Sequence, residues 1–171
     1  DMFHMKAIKM IFKYLPAAVN EKEEKAVEMM GIAQYIAGMG FSNVGLGIVH
    51  SMAHPLSAVY DIPHGVACAI LLTPVLKFNA PSTANKYRDI AVAMGVKNTE
   101  DMSIEQARQA CIEAVEKLSV DVGIPQKLTQ LGVKEEDLQF LSESAFVDAC
   151  TPGNPRDVSV EAIKEIYKSI M

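Results

Sequence analysis

The chain has 171 residues, with 16 basic and 21 acidic side chains and a formal charge of -5. Half of the residues are hydrophobic and 22% are charged, which excludes disorder and fits a folded chain with a substantial core. The acidic balance, without a Lys/Arg cluster, argues against nucleic acid, and the most apolar stretch, residues 65–76, falls short of the ~20 residues that a membrane-spanning helix needs.

In chain order, the apolar residues recur at helical spacing almost everywhere. Met2, Met5, Ile8, Ile11, Phe12 and Leu15 mark a first helix, which Pro16 should end. Asn20 with Glu23 resembles an N-cap and its acidic partner, opening a second helix through Ala26, Met30, Ala33 and Ala37. The mixed-sign run from Glu21 to Lys25 reads as a solvated face. Gly38, Gly40 and Gly45 are expected to break the pattern, and Gly45-Leu46-Gly47 reads as a helix entry rather than a phosphate cradle. A third helix is expected over about Leu46–Tyr60, kinked or ended by Pro55. A fourth starts near Pro63 and runs toward Phe78. Further helices are expected over Thr83–Met94, Ser103–Val122 and Glu135–Cys150, a short turn near Pro125–Leu131, and a last helix over Ser159–Ile170. Ser103 with Gln106 forms a capping box, and Gly95, Gly123 and Gly132 suit helix C-termini. No stretch alternates with period two. The expectation is an all-α domain over residues 1–171, with seven to nine helices and its likeliest seam at residues 79–82.

Three cysteines, Cys68, Cys111 and Cys150, make an odd count without a CxxC pair. That argues against a disulfide framework and for a reducing, cytoplasmic compartment. The chain opens at Asp1 directly into a helical pattern, without a secretory leader, and reads as a piece of a longer protein.

Three of the four histidines, His50, His54 and His64, cluster within residues 50–64; the fourth is His4. His50 and His54 share one helix face. The Asp61-Ile62-Pro63 turn can return His64 toward His50. Imidazole is a common metal ligand. Ser51 follows His50 where a zincin has Glu, so that motif is excluded. A metal needs further donors, and by spacing alone His54, Asp61 and His4 stay open as candidates.

The stretch GMGFSNVGLGIVHSMAHPLSAVYDIPHG, Gly38 to Gly65, resembles the iron-containing alcohol dehydrogenases. The likeness continues through Val66–Leu72, Lys86–Ala91, Asp121–Pro125 and Gly153–Arg156, so it spans essentially the whole chain. The resemblance implies the all-helical, dehydroquinate synthase-like C-terminal domain of such an enzyme, whose N-terminal α/β domain would bind NAD(H). It implies a metal, Fe(II) or alternatively Zn, held by one Asp and three His. Two of these match His50 and His64. His54 matches a residue beside the nicotinamide and substrate that serves proton transfer. Phe41 matches a substrate-pocket aromatic, and Cys150 a thiol near the site. The Asp-x-x-x-His pair expected to complete the metal shell is absent from the chain, as is any GxGxxG turn.

The implied activity is interconversion of a short alcohol and aldehyde, such as 1,2-propanediol and lactaldehyde, with this piece alone inactive. A homo-oligomer is implied for the complete enzyme, and self-association through an apolar face around Phe41 for the piece. An autonomous, non-catalytic helical binding module and a zinc-dependent glycerol dehydrogenase-like domain are the alternatives. Arg156 reads as a helix-cap or ion-pair residue near Asp157 rather than a cofactor contact. Cys111 reads as core.

Overall fold

The computed structural model describes residues 1–171, which form eight α-helices and no strand. The first helix, α1 (Met2–Pro16), buries Ala7 and Met10. Pro16 has no N–H to donate, and beyond it the chain widens into a π turn, Ala17–Glu21, ended by Lys22 at φ 53°. Asn20 is therefore not a cap. It lies inside that turn, and its amide donates to the Asp121 carbonyl at 3.0 Å.

Helix α2 (Glu24–Val44) runs through Gly38 and Gly40, where a break was expected, and stops only at Gly45, whose φ is +78°. Gly40 is there for packing. A methyl group at that position would sit 2.6 Å from Nε2 of His4 on α1. In the last turns of α2, Ser42 and Asn43 fold back to donate to the carbonyls of Gly38 and Met39.

The remaining helices are α3 (Ile48–Tyr60), α4 (His64–Asn79), α5 (Lys86–Met94), α6 (Ile104–Asp121), α7 (Leu138–Phe146) and α8 (Val160–Lys168). Pro55 does not end α3; it is buried within the helix. The predicted capping box is present, with Gln106 N donating to Ser103 Oγ and Ser103 N to Gln106 Oε1. Gly95, Gly123 and Gly132 all take positive φ. Helix α7 is shorter than the spacing predicts. Its last turn is closed by Thr151, whose hydroxyl donates to the Ala145 carbonyl at 2.7 Å. Helix α4, continued by a 3-10 turn, makes a 19-residue apolar stretch from His64 to Ser82, longer than the apolar run in the sequence suggests and long enough to cross a membrane by length and composition. Its Ala67, Leu71 and Val75 are core residues.

The chain divides into two compact units. Residues 1–44 and 83–122 form the first, with α1, α2, α5 and α6. Its interior is built from small and medium side chains such as Ala26, Ala33, Ala91, Ala107, Cys111 and Ile112. Residues 45–82 and 123–171 form the second, with α3, α4, α7 and α8. Its core joins Ile48, Met52 and Leu56 of α3 to Leu71, Leu138, Leu141, Ile163 and Tyr167. The buried Tyr167 hydroxyl donates to the Met52 carbonyl at 2.6 Å, so its one polar atom is satisfied inside that core.

The segment after α7 is pinned to the start of α3 and the end of α4. Thr151 Oγ1 lies 2.8 Å from Ser51 Oγ; because Thr151 already donates to a carbonyl, Ser51 donates here. Asn79 and Asn154 exchange a reciprocal pair of amide hydrogen bonds at 2.9 and 2.8 Å. Arg156 donates to the Phe78 carbonyl at 2.6 Å and stacks on the Phe78 ring at 4.2 Å. It is a helix-cap residue at the end of α4. Gly153 meets Leu46 so closely that an added methyl would overlap the Leu46 carbonyl oxygen. Gly153→Ala should therefore lower stability by about 2–3 kcal/mol, because backbone on both sides has to move. Urea unfolding checks this; an unchanged midpoint would contradict the packing.

Candidate metal and proton-transfer site

The site is built on α3 and α4 of the second unit. His50 and His54 lie one turn apart on α3. Asp61 closes α3 in the left-handed conformation (φ 54°), Pro63 caps α4, and His64 is its first residue. The returned chain places the His64 ring centroid 5.5 Å from His50 and 5.4 Å from His54. The His54 and His64 rings are nearly parallel, at 17°, while His50 and His54 meet edge-on at 6.4 Å.

Two donor groups result. In the first, ligating atoms of His50, His64 and Cys68 all lie within 4.8 Å of one another. Burial, then the charges of His64 and His54, holds the His50 imidazole below its usual pKa, with Asp148 opposing. His50 is thus kept neutral, the form that binds a metal. Cys68 Sγ lies 3.5 Å from His64 Nε2, but burial pushes its thiol up to about 11, so it is protonated at neutral pH. The two imidazoles are the ready donors of this group. They fit a metal that takes nitrogen and oxygen ligands and leave the rest of its shell to be filled.

In the second group, ligating atoms of His54, Asp148 and Cys150 lie within 4.8 Å of one another. His54 Nδ1 is 2.8 Å from Asp148 Oδ2, and the backbone N–H of Cys150 donates to Asp148 Oδ1 at 2.8 Å. Burial raises the Asp148 pKa, but the Cys150 N–H and His54 outweigh it, so the carboxyl sits below its usual range. Burial and then Asp148 push the Cys150 thiol up.

The structure thus brings His50, His54, His64 and Cys150 into one region. Phe41 is on α2 in the first unit, 45% exposed. His4 packs on Gly40 of α2, and Asp61 is an exposed helix cap. All three cysteines are free thiols, and Cys111 is fully buried. Sequence reasoning missed Cys68 and Asp148. Cys68 was findable, because it stands one helical turn after His64. Asp148 carries no local signal, being 94 positions from His54.

Because the Asp148 pKa is depressed in the fold, its contribution is present above the unfolded carboxylate pKa and lost as pH falls through the lower folded value. Asp148→Asn should therefore cost about 1 kcal/mol at pH 7, and the deficit should close in acid. Urea unfolding at pH 7 and in acid checks this; a deficit independent of pH would contradict it.

The profile of the Fe-containing alcohol dehydrogenase family, C-terminal, matches residues 1–171. The chain is 54% identical to lactaldehyde reductase from Escherichia coli (strain K12) over 167 residues, covering 98% of this chain and 43% of that protein. It is 38% identical to NAD-dependent methanol dehydrogenase from Bacillus methanolicus, covering 100% of this chain and 45% of that one. Among solved structures, a 1,3-propanediol oxidoreductase superposes with a TM-score of 0.96 at 41% identity, over 100% of this chain and 45% of its own. The chain spans less than half the length of these relatives. Matched by that profile along all 171 residues, the chain belongs to the iron-containing alcohol dehydrogenase family, in its C-terminal portion.

Proposed function

We propose that this chain supplies the metal-holding and proton-moving side of an NAD-linked dehydrogenase for short alcohols and aldehydes, with 1,2-propanediol and lactaldehyde as the reacting pair. The observation that carries this is the meeting of His50, His54 and His64 in a chain 54% identical to a lactaldehyde reductase. His50 and His64 would hold the metal, Fe(II) in preference to Zn, with a carboxylate and a further imidazole contributed from outside these residues. When bound, the ion supplies Lewis acidity toward the substrate oxygen, and NAD(H) accepts or gives the hydride.

The chain's own residues bind and move a proton. In oxidation the substrate hydroxyl would give its proton to His54, which would pass it to solvent, while the hydride left the carbinol carbon for the bound nicotinamide. The His54 side chain is 44% exposed, open enough for that exchange. In reduction the proton returns by the same atom. Phe41 is assigned to the apolar end of a two- or three-carbon substrate, on the family resemblance. Cys150, beside Asp148 and His54, is a neutral thiol at the edge of that site. The free thiols suit a reducing, cytoplasmic compartment. Exposed Phe3, Tyr35 and Val44 on the helices around Phe41 support self-association of the chain alone, with homo-oligomerisation proposed for the complete enzyme.

Joining the part of the E. coli lactaldehyde reductase that precedes its matched segment to this chain tests the proposal. The metal-loaded chimera should oxidise NADH with lactaldehyde, and the chain alone should not. His50→Ala and His64→Ala should each lower kcat/KM by at least about 100-fold and release the metal. A folded, metal-loaded chimera without activity, or one indifferent to both substitutions, would contradict it.

A further inference from the structure

We infer that Asp148 is a positioning residue for His54, fixing the ring's orientation and keeping its proton on Nδ1 so that Nε2 is the atom left to exchange a proton. The inference deepens the proposed proton transfer and rests on it for its catalytic consequence only. Its structural content stands on the contacts of this chain.

Three observations carry it. The first is the hydrogen bond itself. Nδ1 and Oδ2 are 2.8 Å apart, and an ionised carboxylate can only accept, so Nδ1 must be the donor. In a neutral imidazole the proton is then on Nδ1 and the lone pair on Nε2.

The second is that the carboxylate is held from its other side. Asp148 Oδ1 accepts from the Cys150 N–H at 2.8 Å, so the two oxygens are committed in different directions and the group cannot turn without losing a bond. The side chain of Asp148 is 20% exposed against 44% for His54, so the less accessible partner directs the more accessible one.

The third is the anchoring of the segment. Asp148 N donates to the Ala145 carbonyl, Thr151 bonds that same carbonyl and meets Ser51 of α3, and Gly153 is pressed onto Leu46. The carboxylate therefore keeps its place relative to α3, which carries His54. The His64 ring lies nearly parallel to that of His54, at 17° with 5.4 Å between centroids. The arrangement follows a general pattern in which an acceptor on one ring nitrogen decides what the other nitrogen does.

The substitution Asp148→Asn separates this role from mere packing. Asparagine keeps the size, and its one oxygen is claimed by the Cys150 N–H. Its NH2 then faces Nδ1, which must become an acceptor, so the His54 proton should move to Nε2. Nitrogen-15 NMR of the histidine side chains, on the whole chain and at a pH where the nitrogen shifts themselves report neutral rings, reads this directly. The wild type should show His54 protonated at Nδ1, Asp148→Asn should show it at Nε2, and Asp148→Glu, which retains an acceptor, should restore Nδ1. Amide dispersion in the same spectra reports that each variant is folded. A wild-type proton on Nε2, or no change in a folded Asp148→Asn, overturns the inference.

In the chimera described above, Asp148→Asn should lower kcat by about 100-fold with KM little changed. An active chimera in which Asp148→Asn keeps full kcat overturns the positioning role. An inactive wild-type chimera counts against the dehydrogenase proposal and leaves the NMR result to decide the role of Asp148.

Discussion

The candidate site depends on one reversal of the chain. On a continuous helix, residues 50 and 64 would stand about 21 Å apart. Here their rings are 5.5 Å apart, because Asp61, Ile62 and Pro63 turn α3 back into α4. Each of the three residues has a separate task. Asp61 accepts the left-handed conformation, which aspartate tolerates better than most residues. Ile62 is buried, 5% exposed, and ties the turn to the core. Pro63 caps α4 in a conformation that cannot extend α3. The packing of Ile48, Met52 and Leu56 with Ile70, Leu71 and Val75 then keeps the two helices together. The meeting of the three histidines is thus supported by the hydrophobic core of their unit.

A second support comes from the far end of the chain. The segment from Asp148 to Arg156 ties α3 and α4 through Ser51, Leu46, Asn79 and Phe78. Most of these contacts involve backbone or small polar groups, which define position more sharply than apolar surface does. The same segment carries Asp148 and Cys150 to His54. One docking event therefore stabilises the unit and completes the surroundings of the imidazole. The glycine at position 153 and the threonine at 151 are structural necessities of that docking.

The helical character of the chain, its capping box at Ser103 and its glycine stops at 95, 123 and 132 were legible because they follow from local spacing and local backbone chemistry. The Gly38–Gly40 stretch misled. Glycine weakens a helix locally, but close approach of α1, with His4 against Gly40, retains it there. Asn20 misled for a related reason: its amide had a better use on the distant Asp121 carbonyl than on its own backbone. The three histidines were legible as a cluster, and the turn between them as a reversal. Asp148 was not, because its pairing with His54 is made by tertiary structure and leaves no mark in the intervening residues. Cys68 lay within reach of the same spacing argument that grouped His50 and His54.

The most direct measurement is an anaerobic calorimetric titration of Fe(II) and Zn(II) into this chain, with the His50→Ala, His64→Ala double variant as control. Two imidazoles offered alone should give weak binding that disappears in the double variant. Tight, one-to-one binding by the chain alone, or binding that survives the double substitution, would contradict the assignment of His50 and His64 as one half of a shared metal shell.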